Sequence, residues 1–96
     1  MAAAPLASDE VSRRLAQLTG WTIQAGKLHR TFTFDDFVAA FGFMAQVALV
    51  AERMNHHPEW HNVYSRVAVD LTTHDAGGIT DKDFQLAAAM DRLAAR

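Results

Sequence analysis

Among the five histidines of this 96-residue chain, three stand where a folded protein presents side chains to a ligand. His56 and His57 are adjacent, follow a long apolar segment and precede Pro58, while His74 ends an alternating run just before Asp75-Ala76-Gly77-Gly78. Element ends of this kind are where a rigid scaffold exposes reactive groups. Carboxylates accompany them: Glu52 one helical turn ahead of His56, then Glu59, Asp75 and Asp83. Imidazole, with an unperturbed pKa of about 6.5, supplies both an acid and a base near neutrality. Proton transfer is therefore the chemistry these residue types suit. Covalent catalysis fits poorly, because there is no cysteine and Ser8 and Ser65 lack the surroundings of a triad.

Residue types alone leave other readings open. A histidine beside a helix C-terminus suits the helix dipole as a cation, which is reason enough for His56 or His57 without any ligand. Three histidines can hold zinc, but neighbours on a proline-limited segment point apart, which makes joint ligation awkward. Asp83 follows Thr80 by the spacing of a capping box, so it has helix-start duty whatever else it does. Glu52 suits a solvated helix end. Trp60 is a core-type residue that could also face a flat heterocycle. Gly77-Gly78 lacks the strand–helix context of a phosphate loop and reads as a turn. His29 and His61 fall in strand-like segments as surface residues. Arg13, Arg14, Lys27, Arg30 and Arg66 are scattered, without the aromatic stripe of a nucleic-acid surface.

The elements that must position these groups follow from periodicity. Ser8 is a candidate N-cap for a short helix with Val11, Leu15 and Leu18 on one side, ended by Gly20. Trp21 to Gln24 and Lys27 to Phe34 alternate as two strands around Ala25-Gly26; Arg30 interrupts the apolar face of the second. Thr33 or Asp35 caps a long helix to about Met54. Its stripe is Phe37, Phe41, Met44, Ala48 and Ala51, widened by Val38, Val47 and Val50, with Gly42 allowing a close neighbour. Trp60 to Tyr64 and Val67 to Thr73 form a second strand pair. Thr80 caps a last helix through Leu93. The order predicts one α+β domain over residues 8–96, two-layered, with an antiparallel sheet, behind a loose segment 1–7.

Half the residues are hydrophobic and 21% are charged, as in a globular domain with a core of its own. The formal charge of −2 argues against partners held by bulk positive charge, namely nucleic acid or anionic membrane. The absence of cysteine excludes a disulfide framework and cysteine-ligated metals. The longest uncharged run, Phe37 to Ala51, is shorter than a membrane span and reads as a buried helix. Met1 to Ala7 has no basic leader ahead of its apolar residues, so the expected compartment is the cytoplasm.

Glu52-Arg53-Met54-Asn55-His56-His57-Pro58-Glu59-Trp60, Asn62-Val63-Tyr64, Val67 to His74, and Gly77-Gly78-Ile79-Thr80 with Asp83 resemble the pterin-4a-carbinolamine dehydratase family. The resemblance covers about Leu15 to Leu93. It implies an α-β-β-α-β-β-α fold with the helices on one face of a four-stranded antiparallel sheet. It implies a hydro-lyase that dehydrates 4a-hydroxy-tetrahydrobiopterin to quinonoid dihydropterin, recycling the tetrahydrobiopterin of aromatic amino acid hydroxylases without a metal or organic cofactor. His56, His57 and His74 match the family's catalytic histidines, with His57 or His74 as the principal acid/base pair and His56 polarising the pterin. Glu52 and Asp83 match its supporting carboxylates. Pterin contacts fall to His56, His57, Pro58, Thr73, His74, Asp75 and Ala76. The resemblance also implies a homodimer or homotetramer and a functional link to a hydroxylase. Two alternatives go with it: a module that stabilises a partner protein's dimer, as animal members do, and a dehydratase-like protein acting on another pterin.

Overall fold

The structure, a computed structural model, describes residues 4–95; Met1 to Ala3 of the expected loose segment, and residue 96, lie outside the described residues. The elements are α1 (Ser8–Leu15), β1 (Thr22–Gln24), β2 (Lys27–Thr33), α2 (Phe37–Met54), β3 (Glu59–Val63), β4 (Arg66–Leu71), a 3-10 turn (His74–Ala76) and α3 (Asp81–Ala94). This is the expected α+β order. The strands form one antiparallel sheet in the order β1-β2-β4-β3. Two hairpins thus lie side by side, with β2 against β4 in the middle, Leu28 opposite Leu71 and Phe32 opposite Val67.

The first hairpin turns through Ala25-Gly26, both with positive φ (51° and 77°), the twist a two-residue hairpin needs. Leu28, Phe32, Val67, Val69 and Leu71 form the covered face of the sheet, and α2 and α3 lay their buried stripes on it. From α3 come Phe84, Leu86, Ala87 and Met90. From α2 come Ala40, Phe43, Val47 and Ala51. That corrects the expected α2 stripe: Phe37, Val38 and Phe41 are exposed, as are Ala48 and Leu49. The helix is apolar nearly all round, so periodicity offered several faces. Phe43 decides among them, its ring centroid 4.8 Å from Phe32 and 4.9 Å from Phe34. By length and mean hydropathy (1.4) α2 matches a membrane span, but this stripe packs into the core instead.

Other local expectations shift by one residue. Asp36, rather than Thr33 or Asp35, caps α2 by accepting the Ala39 N–H at 2.8 Å. Ala7, not Ser8, stands at the N-cap of α1 and makes no side-chain cap. Among the described residues, none outside the helix's own backbone comes within 4 Å of where a Cβ on Gly42 would sit. Arg30, the anomaly on β2, lies over the Phe32 ring at 4.4 Å and pairs with Asp91 at 2.8 Å. Gly20 makes room for it: with φ of +92°, it lies so close that a Cβ would sit 3.0 Å from the guanidinium carbon. Ahead of α1, the Leu6 N–H donates to the Ile79 carbonyl at 2.8 Å and its side chain packs on the core.

Arg14 joins α1 to α3, bonding Glu10 at 3.0 Å and Asp81 in the first turn of α3. Its hydrogen bond, then that of Gln85, holds the Asp81 carboxyl below its ordinary range; Arg13 and then Arg14 do the same for Glu10. A depressed carboxylate contributes stability above its unfolded pKa and loses it as pH falls through its folded one. Arg14→Met should therefore lower the melting temperature at neutral pH. That gap should close in acid, as Asp81 and Glu10 protonate below the usual carboxylate range. Thermal melts of both proteins across pH test this, and a gap of constant size would refute it.

Candidate active site

Two chain reversals bring the three histidines together. The first ends α2. Asn55 adopts the left-handed conformation (φ 51°, ψ 44°), its N–H bonds the Glu52 carbonyl at 3.1 Å, and the His56 N–H bonds the Ala51 carbonyl at 3.0 Å. These are the paired bonds of a Schellman stop, in which asparagine is tolerated where most side chains clash. The second reversal is Thr73 to Gly78, a turn closed on itself around the expected Gly77-Gly78. Thr73 N–H bonds the Gly78 carbonyl at 3.0 Å, and the N–H groups of Ala76, Gly77 and Gly78 all return to the Thr73 carbonyl. Gly77 supplies the required positive φ of 76°. Pro5 lies against the turn, so close that a Cβ on Gly78 would sit 3.0 Å from the Pro5 Cβ.

His56, His57, Thr73, His74 and Asp75 line one cavity of about 190 Å³, together with Asn55 and Thr72. Pro58 and Ala76, also expected to contact a ligand, flank this lining without belonging to it. Each histidine directs Nε2 to its own carboxylate: His56 to Asp83 Oδ1 at 2.6 Å, His57 to Glu52 Oε1 at 2.9 Å, His74 to Glu59 Oε2 at 2.9 Å. An ionised carboxylate only accepts, so a neutral ring in such a pair carries its hydrogen on Nε2 and leaves Nδ1 free for a guest.

The three pairs differ in surroundings. Asp83 is fully buried and His56 nearly so (8% exposed). Asp83 Oδ2 accepts from the Thr73 hydroxyl at 2.8 Å and from the Thr80 N–H at 2.9 Å. Thr73 having given its one hydrogen to Asp83, its oxygen accepts from the Thr80 hydroxyl at 2.7 Å. Thr80 accepts in turn from the Lys82 N–H at 3.3 Å. The expected capping box is present, and the same acid that starts α3 also holds His56. His57 and His74, by contrast, have side chains 59% and 77% exposed, and Glu52 is 81% exposed.

Sequence reasoning passed over two features. Glu59 was only one of several nearby acids; its bond to His74 depends on where β3 ends beside the turn, and strand alternation does not report that. Asn55 carried a signal, an asparagine just before a helix-ending proline segment, and went unread. The spacing of His57 and His61, suited to a metal pair on a helix, falls across Pro58 into β3. His61 instead borders a separate hollow with Thr31, Val63, Arg66 and Ala68. Among the described residues, no three of His, Asp and Glu are grouped as metal ligands.

Removing a buried acid that satisfies three neighbours takes a hydrogen-bond partner from each of them. Asp83→Ala should lower unfolding free energy by about 3 kcal/mol. Glu52→Ala, which removes an exposed partner, should leave the urea midpoint unchanged. Equal midpoints for wild type and Asp83→Ala would show that the network contributes nothing to the fold.

Comparison with known proteins identifies relatives along nearly the whole chain. The family model for "Pterin 4 alpha carbinolamine dehydratase" matches residues 4–93. A protein of Solibacter usitatus is 61% identical over 90 residues, which cover 94% of this chain and 95% of that one. One from Prochlorococcus marinus (strain MIT 9303) is 50% identical over 97% of both chains. Each is named "Putative pterin-4-alpha-carbinolamine dehydratase". The crystal structure of a transcriptional coactivator/pterin dehydratase from Brucella melitensis superposes with a TM-score of 0.91 at 46% identity, covering 94% of this chain and 98% of that one.

Proposed function

The chain belongs to the pterin-4a-carbinolamine dehydratase family, and from that premise we propose that it dehydrates 4a-hydroxy-tetrahydrobiopterin to quinonoid dihydropterin. One observation carries this reading: three imidazoles line a single cavity, each tied through Nε2 to its own carboxylate. A carbinolamine holds hydroxyl and amine on one carbon. Loss of water breaks the C–O bond, forms C=N and releases the ring N–H proton. A protonated imidazole gives a proton to the departing oxygen and a neutral one takes the N–H proton, so the proton count balances over one turnover.

Exposure suggests the division of labour. His57 and His74 reach solvent and can exchange protons with it, so they act as the acid/base pair. His56, locked against Asp83, polarises and holds the pterin. Glu52 and Asp83 fix ring orientation. Thr73 and Asp75 face the bicyclic ring, with Pro58 and Ala76 at the margin of the cavity, partly through backbone groups. The reaction recycles tetrahydrobiopterin for an aromatic amino acid hydroxylase in the cytoplasm and draws on these side chains alone.

His57→Ala and His74→Ala should each lower the rate of 4a-carbinolamine breakdown in stopped flow by about 10²-fold, with folding retained. Chelator treatment should leave the rate unchanged. Wild-type turnover in both variants removes the assigned roles, and activity lost to chelator and restored by zinc replaces this mechanism with a metal-dependent one.

A second reading concerns assembly. The Brucella relative is described as a coactivator as well as a dehydratase, and α2 here carries Phe37, Val38, Phe41 and Leu49 on its outer side. Such a face favours a partner helix. We assign it to self-association as a homodimer or homotetramer. Phe41→Glu should lower the mass measured by light scattering toward that of one chain; an unchanged mass excludes α2 as the contact.

A further inference from the structure

Glu52 and Glu59 both accept from an exposed histidine, yet only Glu59 is held from both sides. Its Oε2 takes His74 at 2.9 Å, and its Oε1 takes the Lys27 ammonium at 2.6 Å. The lysine comes from β2 and the glutamate from β3, on opposite sides of β4 in the sheet order. Lys27 therefore reaches across β4. An isolated surface ion pair contributes little, because both long side chains must be ordered to form it. Here one end of each partner is already fixed in the sheet, and Glu59 pairs in register with Asp70 on β4.

We propose that Glu59, anchored by Lys27, is a positioning residue that fixes which nitrogen of His74 faces the cavity. His74 sits on a short turn with its side chain 77% exposed, so packing does not orient the ring. The hydrogen bond from Lys27, ahead of its charge and of His74, keeps the Glu59 carboxyl below its ordinary range. Glu59 is therefore an acceptor at neutral pH, and a neutral His74 must meet it with Nε2–H. The ring is then fixed in one tautomer with Nδ1 lone pair available as a base. Lys27 is not itself among the residues that line the cavity, and its hydrogen bond goes to Glu59; it acts by denying Glu59 its alternative rotamers.

The inference deepens the dehydratase reading and rests on it for its rate effects, but not for its spectroscopic one. On the full chain, nitrogen-15 NMR of the His74 ring at about pH 8, above the ordinary imidazole range, reads the tautomer directly. Wild type should show Nε2–H dominant. Glu59→Ala should show mixed tautomers, and Lys27→Met an intermediate mixture. In the dehydration assay kcat should fall about tenfold in Glu59→Ala and about threefold in Lys27→Met, with KM changed by less than about twofold. A purely structural pair would move the melting temperature and leave the tautomer alone. Wild-type tautomer populations in Glu59→Ala overturn the proposal. Mixed tautomers in a protein whose wild type does not turn over the carbinolamine support the hold on His74 and overturn the dehydratase reading instead.

Discussion

A carboxylate with no exposed surface is the constraint from which the rest of this structure follows. Burying Asp83 costs several kcal/mol unless its oxygens are fully engaged. They are: His56 takes one, and the Thr73 hydroxyl and Thr80 N–H share the other. Those partners come from the end of α2, the turn after β4 and the start of α3. The positive end of the α3 dipole adds to the accommodation. Satisfying one charge therefore forces three distant stretches of chain to meet, and the cavity lies at that meeting point. The sheet and its helices supply apolar burial, but this acid decides where the polar ends of the elements converge.

The other two imidazoles are held by lighter means. Glu52 stands in the last turn of α2, five residues before its histidine, and needs only a properly ended α2. Glu59 lies on a different element from His74, so its contact depends on strand register. Local, semi-local and buried long-range contacts thus support three dyads of one kind, an imidazole on a carboxylate. Their exposures differ accordingly, from a ring nearly buried at the cavity wall to one mostly in water.

The sequence disclosed most of this and concealed specific parts. Element order was legible because alternation in Lys27 to Phe34 and Val67 to Thr73, and the Thr80–Asp83 spacing, each have one structural meaning. The buried face of α2 was not, because a helix apolar on most sides fits several stripes and only the contact of Phe43 with Phe32 and Phe34 selects one. Arg30 looked misplaced until its partners were known: Phe32, two residues along the same strand, and Asp91, far away in the sequence on α3. The histidines and their nearest acids could be picked out by residue type and by family likeness. The pairing of His74 with Glu59 could not, since it requires knowing that a turn closes over the beginning of β3.

The left-handed residue at Asn55 has a consequence for the dipeptide that follows it. By reversing the backbone just before His56, it sends two consecutive rings to opposite fates, one into the protein interior and the other outward. Side chains one peptide unit apart thereby sample two different solvents. A single short stretch of polypeptide spans a dielectric boundary, and chemically equivalent groups acquire unequal characters from where a helix stops.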